Sequence, residues 1–354
     1  MPLAPGLAPD PAAATAHEAT SHWVIPFASS LSEPCQHALT HLKDATSLPR
    51  LSSLLDRLQP VARLDGDEYA LAMPHERLLA SELGWPAPGN TDGLQPWAAW
   101  WAAQDGIALP SERCWALLSP GHWLMGRDHL TLLDPATLGL GDDESRALLE
   151  ALRPFFEEDG WTLQWGAATR WYASHPDLDG LSTASLERVI GRNPDLWLAE
   201  DPDGHPLARK LRRLQAEAQM LLYNHPLNER RSEAGLATVN SFWVSGCGRP
   251  PADPLALTLP AHLRVVDDLR APLLADDMPL WIEAWQHIDA HVLPDVLAAL
   301  DAGQAVKLTL CGERHAVTFA PGAKPGLAAR LMSGLRQLGG RTTHASPAAC
   351  LADL

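Results

Sequence analysis

The chain has 354 residues, enough for one large domain or two modest ones, and its 46% apolar and 20% charged content is that of a globular rather than a disordered protein. A formal charge of −16 repels phosphate backbones and anionic lipid, so neither nucleic acid nor a membrane is expected as a partner. Five scattered cysteines, odd in number and without a Cys-x-x-Cys, suit a reducing cytosol and argue against a disulfide framework or a zinc ribbon.

Residues 1–20 are rich in Ala and Pro and lack Lys and Arg, so they read as a disordered tail and not a signal peptide. No stretch reaches the ~18 uninterrupted apolar residues of a membrane span, and a cytoplasmic location follows as the expectation. His22 to Phe27 predicts a first strand, and Ser32-Glu33-Pro34 opens a helix running to Lys43. Leu51, Leu54, Leu55 and Leu58 repeat at helical spacing, and Tyr69 to Met73 reads as a short strand. A Pro/Gly-rich connection over 84–93 leads to an aromatic block, Trp97, Trp100 and Trp101; fourteen Trp against three Tyr place several indoles at clefts or interfaces.

Trp115 to Leu118 and His129 to Leu133 read as strands around a Ser119-Pro120-Gly121 turn. Asp142 and Asp143 start a helix to about Phe156, where acidic groups complement the helix dipole. Thr162 to Trp165 and Arg170 to Tyr172 suggest a hairpin, and Ser182 to Ile190 a helix. Beyond a turn-rich break at 199–206, an amphipathic helix carries Leu211, Leu214, Ala218, Leu221 and Leu222 on one stripe. Leu263 to Val266 predicts a buried strand, Pro279 to His291 a helix, 306–311 and 315–319 a hairpin, and 326–338 a last helix. Alternating strands and helices with local hairpins predict an α/β fold with a mixed sheet flanked by helices.

The most specialised stretch is Leu211 to Gly248. Pro226 cannot continue the helix, so the chain turns at Asn224-His225. Asn228 reads as the N-cap of a short turn holding Arg230 and Arg231, Gly235 as a helix stop, and Val239 to Val244 as a strand ending in a Gly246-Cys247-Gly248 turn. Ligands gather at the carboxyl ends of strands in open α/β sheets. His225, Asn228, Arg231, Asn240 and the backbone N–H groups of Gly246 and Gly248 are therefore expected to bind a small anionic, phosphorylated metabolite. The alternative is architecture: Asn caps helices, Gly ends them, and Arg231 pairs with Glu217, Glu229 or Glu233.

The run His225-Pro226-Leu227-Asn228, Arg231, Gly235, Val239-Asn240 and the glycine turn is similar to a segment of archaeal-type cofactor-independent phosphoglycerate mutases, of the alkaline phosphatase superfamily. A longer match, over roughly Cys114 to Gly248, resembles a proteobacterial family of regulatory proteins, RpfE type; it takes in 126–133 (GRDHLTLL), 142–149 (DDESRALL), 155–160 (FFEEDG), 185–192 (SLERVIGR) and 211–248. The resemblance implies a reduced alkaline-phosphatase-like α/β core from 21–110 and 206–354, with an α+β subdomain inserted at 111–205. It also implies two divalent metals held by Asp and His and a phosphoryl-carrying Ser. This chain departs from that pattern: Ala28-Ser29-Ser30 follows the first strand where the resemblance calls for an Asp, and Ser245 stands where the mutases carry Arg.

Elsewhere, Glu283, His287 and His291 fall at i, i+4 and i+8, spacing that suits a metal on one helix face, as does the weaker pair His37 and His41. Asp267, Asp268, Asp276 and Asp277 bracket a loop and read as solvated caps or as Mg²⁺ or Ca²⁺ ligands. Cys247 is either a nucleophile or a small buried thiol. Three functions remain open: a catalytically degenerate regulatory protein that binds a metabolite and needs no cofactor, an active enzyme using a divalent metal on rearranged ligands, and a Trp-rich scaffold for a protein partner.

Overall fold

A computed structural model describes residues 20–42, 46–85, 92–127, 129–198, 206–322 and 346–354. The tail expected before Thr20 and the helix expected over 326–338 lie outside the described residues. Eleven strands are named here in chain order: β1 (Ser21–Ile25), β2 (Leu58–Leu64), β3 (Trp115–Gly121), β4 (Trp123–Met125), β5 (Leu130–Leu132), β6 (Thr162–Ala167), β7 (Arg170–Ser174), β8 (Ser241–Gly248), β9 (Leu263–Val265), β10 (Val306–Cys311) and β11 (Ala316–Pro321).

The first sheet runs β2-β11-β10-β1-β9. β1 is parallel to both of its neighbours, while β10-β11 and β11-β2 are antiparallel, so the fold is α/β with a mixed sheet, as expected. β1 is central because its side chains are apolar on both faces, and Val24 and Ile25 are fully buried. One face packs against α1 (Glu33–Leu39), α2 (Pro49–Arg57), α10 (Met278–His291) and α11 (Leu293–Asp301). The other meets α3 (Pro74–Glu82) through Leu78 and Leu79.

The second sheet, β6-β7-β3-β8, is antiparallel throughout. Its core joins α5 (Asp142–Glu158) and α7 (Pro206–Tyr223), with Leu148, Leu152, Phe156, Leu211, Leu214 and Phe242 in one cluster. Residues 206–248, assigned to the main core from sequence, thus contribute α7 and β8 to this second unit, because the apolar stripe of α7 faces α5 and β8 pairs with β3. Against its other side lies α4 (Trp97–Gln104), the aromatic block. No described helix is long and apolar enough to cross a membrane.

Several local expectations differ, among them the helix expected over Ser182 to Ile190, which is confined to Leu186–Val189, and Leu58, which begins β2. Tyr69 to Met73 is irregular because the Asp92 carboxylate accepts the Leu71 and Ala72 N–H groups, at 2.6 and 3.0 Å, that a strand partner would take. Ser119-Pro120-Gly121 continues β3 alongside β8 instead of turning. The Gly246-Cys247-Gly248 turn is the end of β8 itself. Finally, α8 (Pro226–Glu233) is capped by His225, whose ring accepts from Leu227 N, and not by Asn228.

Candidate functional site

A cavity of about 540 Å³ opens between the two sheets. It lies past the carboxyl ends of β1 and β9, where open α/β sheets collect ligands. Pro26 and Asp267 follow those strands into it, Ser119 and Gly246 face it from the second sheet, and Trp97 and Trp100 form an aromatic wall. The indole N–H groups of both Trp are buried without a protein acceptor.

The polar end is built from two short helices. Pro74 occupies the first turn of α3, and Glu76 reaches back to accept from Met73 N at 2.7 Å, which fixes His75 and Glu76 at the helix start. The first turn of α6 (Leu186–Val189) presents Glu187 opposite them. His75 Nε2 lies 3.0 Å from Glu187 Oε2, and the other Glu187 oxygen accepts from Arg270 Nε. Arg270, at the start of α9 (Arg270–Leu274), also reaches Asp134 Oδ2 at 3.1 Å.

Electrostatics separate the two glutamates. Burial and the Glu187 charge raise Glu76 to about 7, against the opposing pull of His75. Burial pushes Glu187 up too, but hydrogen bonds and charge from His75 and Arg270 outweigh it and hold Glu187 at about 2. Burial disfavours charge on His75, yet its pairing with Glu187 raises it. Asp267 is raised by burial and by Glu187. Near neutral pH the polar end therefore offers a protonatable carboxyl beside a fixed carboxylate, with Arg270 saturated by protein partners. Such a pair can accept and donate hydrogen bonds or hold a cation.

Phe27 packs behind His75 at this end. It is buried with a left-handed backbone, φ 58°, which costs a bulky residue of order 1–3 kcal/mol. Trp281 Nε1 donates to the Phe27 carbonyl at 3.1 Å, Trp285 Nε1 to that of Ala28 at 3.3 Å, and the Phe27 ring centroid sits 5.1 Å from that of His75.

No protein-family model matches the chain, and no curated protein does. Among solved structures the fold is similar to that of cofactor-independent phosphoglycerate mutase from Thermoplasma acidophilum DSM 1728, at 16% identity, covering 91% of this chain and 100% of that one with a TM-score of 0.36. A protein from Pyrococcus horikoshii is similar at 14% identity over 86% of this chain and 88% of its own, with a TM-score of 0.44. These likenesses concern the fold alone.

Beyond the aromatic block and Ser245, which line the cavity, most of the residues singled out from sequence fall elsewhere. Gly246 and Asp267 also line it. Arg231 is buried and donates to the carbonyls of Ala237 and Leu138 and to Glu144 Oε2 at 2.8 Å, so its charge is spent inside the protein rather than offered to an anion. Asn228 is buried too; its amide donates to Leu222 O and Val239 O, and its carbonyl accepts from Val239 N. Asn240 brackets Trp123 through that residue's backbone N–H and carbonyl, and His225 caps α8. Gly248 packs against Pro96 at the end of β8.

Glu283, His287 and His291 project from the exposed face of α10; His287 pairs with Asp268 at 3.3 Å, and the three do not converge. His37 and His41 are likewise exposed without a third ligand among the described residues. Cys247 is buried, and burial raises its thiol to about 12, which suits packing and not nucleophilic attack. Trp97, Trp100 and Trp101 all line the cavity, and Trp101, at 37% exposure, is the most open of the three. Sequence reading missed His75, Glu76, Glu187 and Arg270; the Pro74-to-Glu76 start of α3 is a capping signature that pointed to the first two.

Proposed function

We propose that this chain is a metabolite-binding protein on a phosphoglycerate-mutase-like fold, of the regulatory kind its sequence resembles, and that it no longer carries out mutase chemistry. The observation that carries this reading is Phe27. Where the resemblance calls for a metal-ligating carboxylate after the first strand, the chain turns at Phe27, a buried aromatic packed on His75, and runs into Ala28-Ser29-Ser30 without one. A phosphoryl-transfer centre needs a charged metal ligand at that point, and none of Phe27 to Ser30 carries a charge.

The cavity is the binding site in this reading. Its volume suits a small metabolite, the Trp97 and Trp100 faces suit a ring or carbon skeleton, and their unpartnered N–H groups suit its oxygens. Occupancy, and not turnover, is the output. The test is differential scanning fluorimetry of the full chain against sugars, hydroxy acids and their phosphate esters, followed by calorimetry on each hit. A hit raises the melting temperature in the native protein and loses at least tenfold in affinity in Trp100→Ala. Robust Mn²⁺-dependent interconversion of phosphoglycerates would sink the reading, as would hits that bind Trp100→Ala unchanged.

A further inference from the structure

We propose that His75, Glu76 and Glu187 form a divalent-cation site, suited to Mn²⁺ or Zn²⁺, at the polar end of the cavity. This goes beyond the binding of an organic ligand and does not depend on it. One ligand atom from each of the three lies within 4.8 Å of the others, the sole convergence of this type among the described residues. The 3.0 Å separation of His75 Nε2 and Glu187 Oε2 is that of neighbouring donors around an ion with bonds of ~2.1 Å.

Three further features favour an ion over a closed ion-pair network. The ligands are already oriented: Met73 N holds Glu76, and Arg270 holds the far oxygen of Glu187 while being held by Asp134. Outer partners of this sort fix ligand geometry in metal centres. His75 is only 7% exposed and its ring packs on Phe27 with centroids 5.1 Å apart, so packing holds the imidazole in place with Nε2 toward Glu187. Acidic groups also outnumber basic ones around the cavity, since Asp134, Asp267, Glu76 and Glu187 face it against Arg170, Arg270 and His75.

One imidazole with two carboxylates suits Mn²⁺ or Zn²⁺ better than Ca²⁺, which takes six to eight oxygens. The ion's remaining positions face the cavity and are open to water or to a ligand oxygen. A bound cation thereby reconciles the acidic wall with an anionic metabolite, which bare phosphate on these carboxylates does not.

The test uses chelator-treated full-length protein with no organic ligand present. MnCl₂ and ZnCl₂ are titrated by calorimetry, and Mn²⁺ also by loss of the free-ion electron paramagnetic resonance signal. The expected result is one ion per chain, with affinity at least tenfold weaker in both Glu76→Gln and His75→Asn and unchanged in His287→Ala. Glu76→Gln is the decisive variant, because it keeps the shape of the side chain and leaves the Glu187–Arg270 pair intact; circular dichroism verifies its fold. No saturable binding of either ion, or equal binding in Glu76→Gln and the native chain, would overturn the proposal. Trp100→Ala should bind Mn²⁺ normally, so failure of the cation site and failure of metabolite binding are read separately.

Discussion

Asp105 and Arg170 meet in a two-pronged ion pair, Nε to Oδ2 at 2.9 Å and Nη2 to Oδ1 at 2.7 Å. Tyr172 adds its hydroxyl to Oδ2, so the residue closing α4 is tied to β7 across the mouth of the aromatic wall.

Burial alone would raise Asp105, but the Arg170 and Tyr172 donors outweigh it and hold the carboxyl below its ordinary range. A depressed carboxylate stabilises the fold above its unfolded pKa of ~3.9, and that contribution fades as pH falls through the folded value. Urea denaturation should therefore show Asp105→Asn less stable than the native chain by about 1–3 kcal/mol at pH 7. The gap should narrow below about pH 4. A gap that is constant with pH would mean the pair contributes through shape and not charge.

Arg231→Ala should cost about 3–5 kcal/mol, because it leaves two buried carbonyls and Glu144 without their donor. Asn228→Ala should cost about 2–4 kcal/mol for the three bonds it removes. Chemical denaturation measures both. If either variant kept native stability, Asn228 and Arg231 would not be holding the chain together between α8 and β8.

Two glycines with left-handed backbones should respond differently to Ala. Gly235, φ +71°, has open space around its missing Cβ, so Gly235→Ala should cost only about 1–2 kcal/mol. A Cβ on Gly246, φ +64°, would sit 2.7 Å from Ala98 N and 2.9 Å from Trp97 Cβ. Gly246→Ala should cost about 2–4 kcal/mol and shift tryptophan emission, since it displaces α4. Equal costs at the two sites would contradict this packing.

Burial raises the thiols of Cys35, Cys114 and Cys311, and those of Cys247 and Cys350 to about 12 and 11. The native protein at pH 8 should therefore react slowly with a thiol reagent and release all five groups only in denaturant. A fast native thiol would point to an opening of the fold near it.

Elements with local signals were legible from sequence. α5 announces itself by its acidic first turn and apolar stripe, and the β6–β7 and β10–β11 hairpins by alternation around a short connection. β2 was not, because it is an edge strand with Pro60 and mostly exposed side chains, which erases the alternation. The cavity cluster was hidden for a different reason. His75 and Glu187 belong to separate helices, and only the packing of one sheet unit on the other brings them to 3.0 Å, so no spacing along the chain encodes the pair. The stretch from His225 to Gly248 misled because Asn, Arg and Gly serve tight internal corners with the same chemistry that serves anions.

The place of β1 also sets an order of events during synthesis. The second sheet is drawn from a contiguous run and is complete once Gly248 has been made. β1 emerges first but pairs only with β9 and β10, His22 against Leu263 and Ser21 against Val306. The apolar segment from Trp23 to Ile25 thus stays without its strand partners while most of the polypeptide is still being added, and its closure carries the slow, long-range step of folding. On the nascent chain it is the natural stop for a chaperone, and any fragment ending before Leu263 keeps that sticky edge for good.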